Sequence, residues 1–105
     1  MAHQKREALI VGKRLVKNLC AAGIDVKQAY LFGSFAKNKA DEDSDIDVVI
    51  VSKSFSNNRL INARRLAPFE WETDPRLEVI AYRPEWFRDE DPLVWELKTT
   101  GISLI

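Results

Sequence analysis

Apolar positions recur in steps of three and four along the first part of this chain, with Ala8, Gly12, Leu15, Val16 and Leu19 on one stripe. That spacing matches the 3.6-residue helical turn and predicts a helix over 4–22, stopped by Gly23. The pattern then changes period. The run Val26 to Phe32 predicts a strand, broken by Gly33-Ser34, and Phe35 to Lys39 is long enough for one or two helical turns. Ile46 to Val51 is the plainest strand: β-branched residues dominate, and the unbroken apolar run after Asp47 predicts burial on both faces. Asn57 to about Ala67, carrying Arg59, Arg64 and Arg65, reads as a helix expected to end ahead of Pro68, which disfavours the α conformation in the residue before it. Leu77 to Tyr82 is a further strand. Pro84 and Pro92 punctuate short helical pieces, of which Pro92 to Thr100 is the better, with proline in its first turn and Gly101 at its end. Strands alternating with helices predict an α/β (α+β) fold, a small mixed sheet flanked by helices.

Length and charge narrow this picture. The chain has 105 residues, a single-domain length (1–105) that buries roughly two-thirds of its unfolded surface. Lysine plus arginine number 16 and aspartate plus glutamate 16, a formal charge of zero. No whole-molecule field draws it to nucleic acid or anionic lipid, so no direct DNA binding is expected. The longest strongly apolar run, Val48 to Val51, falls far short of the roughly 20 residues that span a bilayer, so no membrane is expected either. The basic N-terminus has no apolar segment of signal-peptide length behind it. The single cysteine, Cys20, cannot form an internal disulfide, and a cytoplasmic location follows as the expectation. Cys20 itself reads as a small buried hydrophobe, since no second cysteine or histidine is present to activate it. One Cys and one His do not make a structural zinc site.

The candidate chemistry is acidic. Five acids fall within Asp41-Glu42-Asp43-Ser44-Asp45-Ile46-Asp47, and the bland reading is a solvated turn. Asp45 and Asp47 run into the strand, however, where side chains two apart share a face about 6.5–7 Å from one another. Two such carboxylates repel, and either one is protonated or a cation lies between them. A hard divalent ion such as Mg²⁺, shared with substrate phosphate oxygens, fits best. Gly33-Ser34, directly after a strand, lets backbone amides approach a phosphate, although alone it is an ordinary turn. Glu78 is the third carboxylate: glutamate is depleted in strands, and beside Ile46 to Val51 it would face the two aspartates. Otherwise it is a solvent-facing edge residue. Gly33 to Ala40 misses the P-loop pattern at Asn38 and Ala40. Asp41, Asp43 and Asp45 miss the EF-hand pattern at Ile46 and Ser52.

Leu31-Phe32-Gly33-Ser34, a ten-residue gap, Asp45-Ile46-Asp47 in an apolar strand and an acid in a later strand together resemble the minimal nucleotidyltransferase domains of the DNA polymerase β superfamily. The resemblance runs from about Ala29 to Tyr82. It implies a nucleotidyltransferase-like fold and transfer of a nucleoside monophosphate, AMP from ATP, to a hydroxyl acceptor. By the same resemblance Asp45 and Asp47 hold two Mg²⁺ ions with Glu78 as a third ligand, Gly33 and Ser34 bind the nucleoside triphosphate, and Glu78 assists the acceptor. Lys37 and Lys39 read as solvated lysines or as added positive charge near the phosphates. Phe35 and Asn38 stand where members often carry a basic residue and a glycine, and Glu78 where aspartate is usual. Many small stand-alone members resemble the antitoxin of a pair whose toxin is a helical HEPN-family protein, which implies such a partner. A non-catalytic antitoxin or nucleotide-sensing module is the alternative. The C-terminal aromatics Trp71, Tyr82, Trp86, Phe87 and Trp95 are expected to be mainly core, with a partner surface as the other reading. The sequence leaves the oligomeric state open, a homo-oligomer included.

Overall fold

Helix α1 (Ala2–Ala21) buries Ala8, Gly12, Leu15 and Leu19 of the stripe read from the spacing, together with Val11, while Val16 is partly buried. The protein's structure is a computed structural model describing residues 2–41 and 43–105, residues 2 and 3 by backbone alone. Glu42 of the acidic run and the His3 side chain therefore lie outside the described residues. Past α1, Gly23 has φ +90°, its N–H donates to the Cys20 carbonyl, and the Ile24 N–H donates to the Leu19 carbonyl. These are the two bonds of a Schellman cap, whose left-handed residue is most cheaply glycine. Cys20 is exposed. It lies off the buried stripe, which corrects its reading as a buried hydrophobe.

Strands β1 (Gln28–Phe32), β2 (Ile46–Val51), β3 (Leu77–Tyr82) and β4 (Ile102–Ser103) form one sheet in the order β3-β2-β1-β4. β1 runs antiparallel to β2 and β4, whereas β2 and β3 are parallel. The sheet is mixed, as expected. A parallel pair needs a crossover, and α2 (Arg59–Thr73) supplies it, capped by the Asn58 side chain, which accepts from the N–H groups of Leu60 and Ile61. α2 does not stop ahead of Pro68; that proline lies inside it. Pro68 has no N–H for the carbonyl one turn back, but buried Leu66, core-packed Phe69 and a 2.9 Å hydrogen bond from Asn18 to Thr73 hold the helix beyond it.

The sheet separates two cores. α1 and α2 cover the face bearing Leu31, Ile46, Val48, Ile50 and Leu77. The opposite face, with Val49, Val51 and Tyr82, is covered by Val94 and Leu97 of α3 (Pro92–Thr100) and by Trp86 and Phe87 around the short 3₁₀ turn Pro84–Trp86. β2 is thus buried on both faces, and only Asp47 interrupts it.

Candidate active site

β1 ends at the end of the sheet where the parallel strands β2 and β3 begin, so the segment after Phe32 emerges beside the first residues of β2. Asp47, second in β2, pairs laterally with Phe32 of β1 and Glu78 of β3. Alternate strand residues face opposite sides, and Val49, Val51 and Tyr82 face α3. Asp47 and Glu78 therefore share the α3 side. The parallel register brings together the pair that the sequence placed on separate strands.

Gly33 is fitted against Asp47. Its φ is +75°, and a Cβ there would fall 2.4 Å from Asp47 Oδ2. Only glycine lets the carboxylate lie this close to the turn. The following residues make one helical turn: the Lys37 N–H donates to the Gly33 carbonyl, the Asn38 N–H to Phe35 and the Lys39 N–H to Ser34. Asn38 takes the left-handed position with φ 59°, which asparagine tolerates better than most residues. The turn leaves the N–H groups of Ser34, Phe35 and Ala36 without an acceptor among the described residues. Phe35 is 4% exposed and packs into the α1/α2 core. A side-chain phosphate contact from that position is thereby removed, and the ring instead anchors the turn.

The acidic run divides into two parts. Asp41 Oδ1 accepts from the Asp43 N–H at 2.9 Å and from Ser44 Oγ at 3.3 Å, and Ser44 Oγ accepts from the Asp41 N–H at 3.0 Å. Asp41 and Ser44 close a turn, as the bland reading has it. Asp45 is exposed and precedes β2, which starts at Ile46. This corrects its placement on a buried strand: the turn closed by Ser44 delays strand entry by one residue. Glu78 is likewise exposed within β3, while Asp47 is half-buried.

Asp47 feels the whole group. Burial, then the negative charges of Glu78, Asp45 and Glu96, push its carboxyl up to about 6. Glu96, on α3, was not singled out from the sequence, because only the packing of α3 on the sheet brings it near. It pairs with Lys37 at 3.4 Å, so Lys37 is an exposed lysine that ties the Gly33 turn to α3. Glu70 of α2 accepts the Val79 N–H at 2.8 Å, and burial raises its pKa. Core packing holds for Tyr82, Trp86 and Phe87, whereas Trp71 (76%) and Trp95 (64%) remain exposed.

The donor set is all carboxylate, the chemistry of a hard divalent cation, and the unfavourable charge on Asp47 is what such a cation would relieve. Among the described residues, no three acids stand close enough to hold an ion by themselves. Two carboxylates with phosphate oxygens completing the shell fit Mg²⁺ better than a closed protein cage.

An acidic strand pair beneath a glycine turn on a small mixed sheet defines a nucleotidyltransferase-like domain. Residues 13–98 match the family model described as "Nucleotidyltransferase domain". The chain belongs to that family, and nucleotidyl transfer is the activity class its membership assigns. Divalent metal use is general in the family. No curated protein matches. Among solved structures, a proposed nucleotidyltransferase from Sulfolobus solfataricus superimposes with a TM-score of 0.71 at 17% identity, over 97% of this chain and 83% of that one. A toxin-antitoxin complex with AMP-PNP gives 0.56 at 22%, over 89% and 72%. A toxin-antitoxin MntA-HpeT mutant, with two aspartates two positions apart changed to glutamate, gives 0.56 at 21%, over 88% and 70%. These likenesses carry the fold. Among the described residues no helix is long and apolar enough to cross a membrane.

Proposed function

We propose that this protein transfers a nucleoside monophosphate, AMP from ATP, onto a hydroxyl of a partner protein, a HEPN-type helical toxin, with Mg²⁺. The observation carrying this reading is the juxtaposition at Asp47: Gly33 packed on its carboxylate, Glu78 beside it across the parallel pair, and Asp45 adding its charge. Asp45 and Asp47, with phosphate oxygens of the substrate completing the shell, would hold the metal, which would supply electrophilic activation of the α-phosphate and charge neutralisation on the departing pyrophosphate. The Gly33-Ser34 turn binds the triphosphate through its free N–H groups and the Ser34 hydroxyl. Glu78 takes the acceptor proton as general base. The acceptor oxygen bonds to the α-phosphorus, the bond from that phosphorus to the β-phosphate oxygen breaks, and pyrophosphate leaves. The toxin-antitoxin neighbours, one with AMP-PNP and one altered at two aspartates spaced as Asp45 and Asp47 are, support the choice of nucleotide and partner.

Exposed Glu78 and the lack, among the described residues, of three acids close enough to share an ion favour a second reading, an antitoxin acting by contact alone. Co-expression with the neighbouring gene's product, followed by mass spectrometry of that partner, separates the two. Transfer predicts one added nucleoside monophosphate, lost in Asp45→Asn and Asp47→Asn. A partner neutralised without any adduct establishes contact inhibition.

A further inference from the structure

β3 is an edge strand, and its outer side is open over only part of its length. The carbonyls of Arg76 and Tyr82 accept from Ile46 and Ser52 at 2.8 and 2.9 Å, so residues 76, 78, 80 and 82 direct their backbone groups toward β2. Residues 77, 79 and 81 direct theirs outward. The Leu77 N–H is satisfied by the Asp74 carbonyl at 3.0 Å, and the Val79 N–H by Glu70. The Ala81 N–H and the carbonyls of Val79 and Ala81 have no partner among the described residues. They border a cleft of about 220 Å³ lined by Arg59, Ala63, Val79, Ile80 and Ala81.

Arg59 equips the cleft for a particular ligand. Its guanidinium carbon lies 4.6 Å from the Trp86 ring centroid and 5.4 Å from that of Tyr82. Stacking of this kind occupies the planar face of a guanidinium and leaves in-plane N–H donors for a carboxylate. The side chain is exposed and has no carboxylate in direct contact among the described residues, although its charge reaches Asp91, the acceptor of the Tyr82 hydroxyl. We propose that the Val79–Ala81 edge, with Arg59, docks an extended acidic segment of a partner protein, which adds as a short fifth strand and places a carboxylate on Arg59. Alternating backbone donors and acceptors are the complement of another peptide backbone rather than of a nucleic acid. A second copy joined edge to edge across a two-fold axis would bring its own Arg59 toward this one, so charge favours an acidic partner over self-pairing. Docking needs neither nucleotide nor metal and stands apart from the transfer reading, although it would set the segment alongside the strand that carries Glu78.

The test is titration of the ¹⁵N-labelled full chain, free of nucleotide and metal, with an end-blocked hexapeptide of alternating valine and threonine bearing one central glutamate. At saturation the Ala81 amide should shift and its hydrogen exchange slow at least tenfold. The glutamine version of the peptide, and Arg59→Gln against the glutamate peptide, should each bind at least fivefold more weakly. The two-peptide comparison needs no variant, so misfolding of Arg59→Gln does not rescue the idea. Undetectable binding, equal binding of the two peptides, an unprotected Ala81 amide, or tighter binding of a single-stranded oligoadenylate at the same residues would each overturn it.

Discussion

Asp47 carries the central tension of the molecule, a carboxylate held by the β2 register beside Glu78 and within reach of Asp45 and Glu96. Its pKa is raised from 3.8 to about 6, so the folded state holds its proton more tightly than the unfolded state does. The resulting stabilisation is complete below pH 4 and is lost as pH rises through 6. Without divalent metal, Asp47→Asn should therefore match the native protein near pH 4 and exceed it at pH 7 by on the order of 1 kcal/mol, after allowance for solvent screening. Chemical denaturation at the two pH values checks this, and added Mg²⁺ should narrow the difference by stabilising only the native protein. A difference that does not vary with pH would remove the account of Asp47. At Gly33, alanine meets both a positive φ and the Asp47 carboxylate. Gly33→Ala should cost about 1–3 kcal/mol by denaturant titration and abolish transfer, because the turn must retreat from Asp47. Full activity in that variant would show that the close approach has no role.

The elements differ in how far local chemistry decides them. α1 ends at Gly23 because a left-handed residue closes a Schellman cap there, a signal contained in the sequence. α2 overrides its local signal. Leu66, Phe69 and Thr73 gain enough from packing against core and α1 to carry the helix through Pro68, and contacts between residues distant in the chain cannot be read from a proline rule. Pro68 is exposed, so Pro68→Ala restores a helical hydrogen bond without disturbing the core. It should raise stability by about 1 kcal/mol or more, and a lower denaturation midpoint would show that the proline is accommodated without strain. β4, two residues long, has no periodicity to detect. Gly33-Ser34, Asp45-Ile46-Asp47 and Glu78 were legible as motifs, but the pairing of Asp47 with Glu78 depends on a parallel register created by the α2 crossover. Glu96 was illegible for a similar reason: its place near the site follows from α3 covering the sheet.

Across the whole molecule, 16 basic and 16 acidic side chains balance, yet the charge is unevenly arranged. The negative charges of Asp45, Glu78 and Glu96 act on Asp47 at the end of the sheet where β2 and β3 begin, with Lys37 paired to Glu96. Arg59, at the β3 edge, makes no direct ion pair among the described residues, and its charge reaches Asp91. On the proposed reading, such a layout separates a nucleotide-binding end from an edge for an acidic polypeptide. Nucleotidyl transfer through the Asp47 site is read from the position of the transferred label. Purified protein and partner, incubated with Mg²⁺ and ATP labelled at either the α- or the γ-phosphate, should give a labelled partner from the α-label alone, with none from Asp47→Asn. Label arriving from the γ-phosphate, or α-label transferred equally well by folded Asp47→Asn, would contradict it.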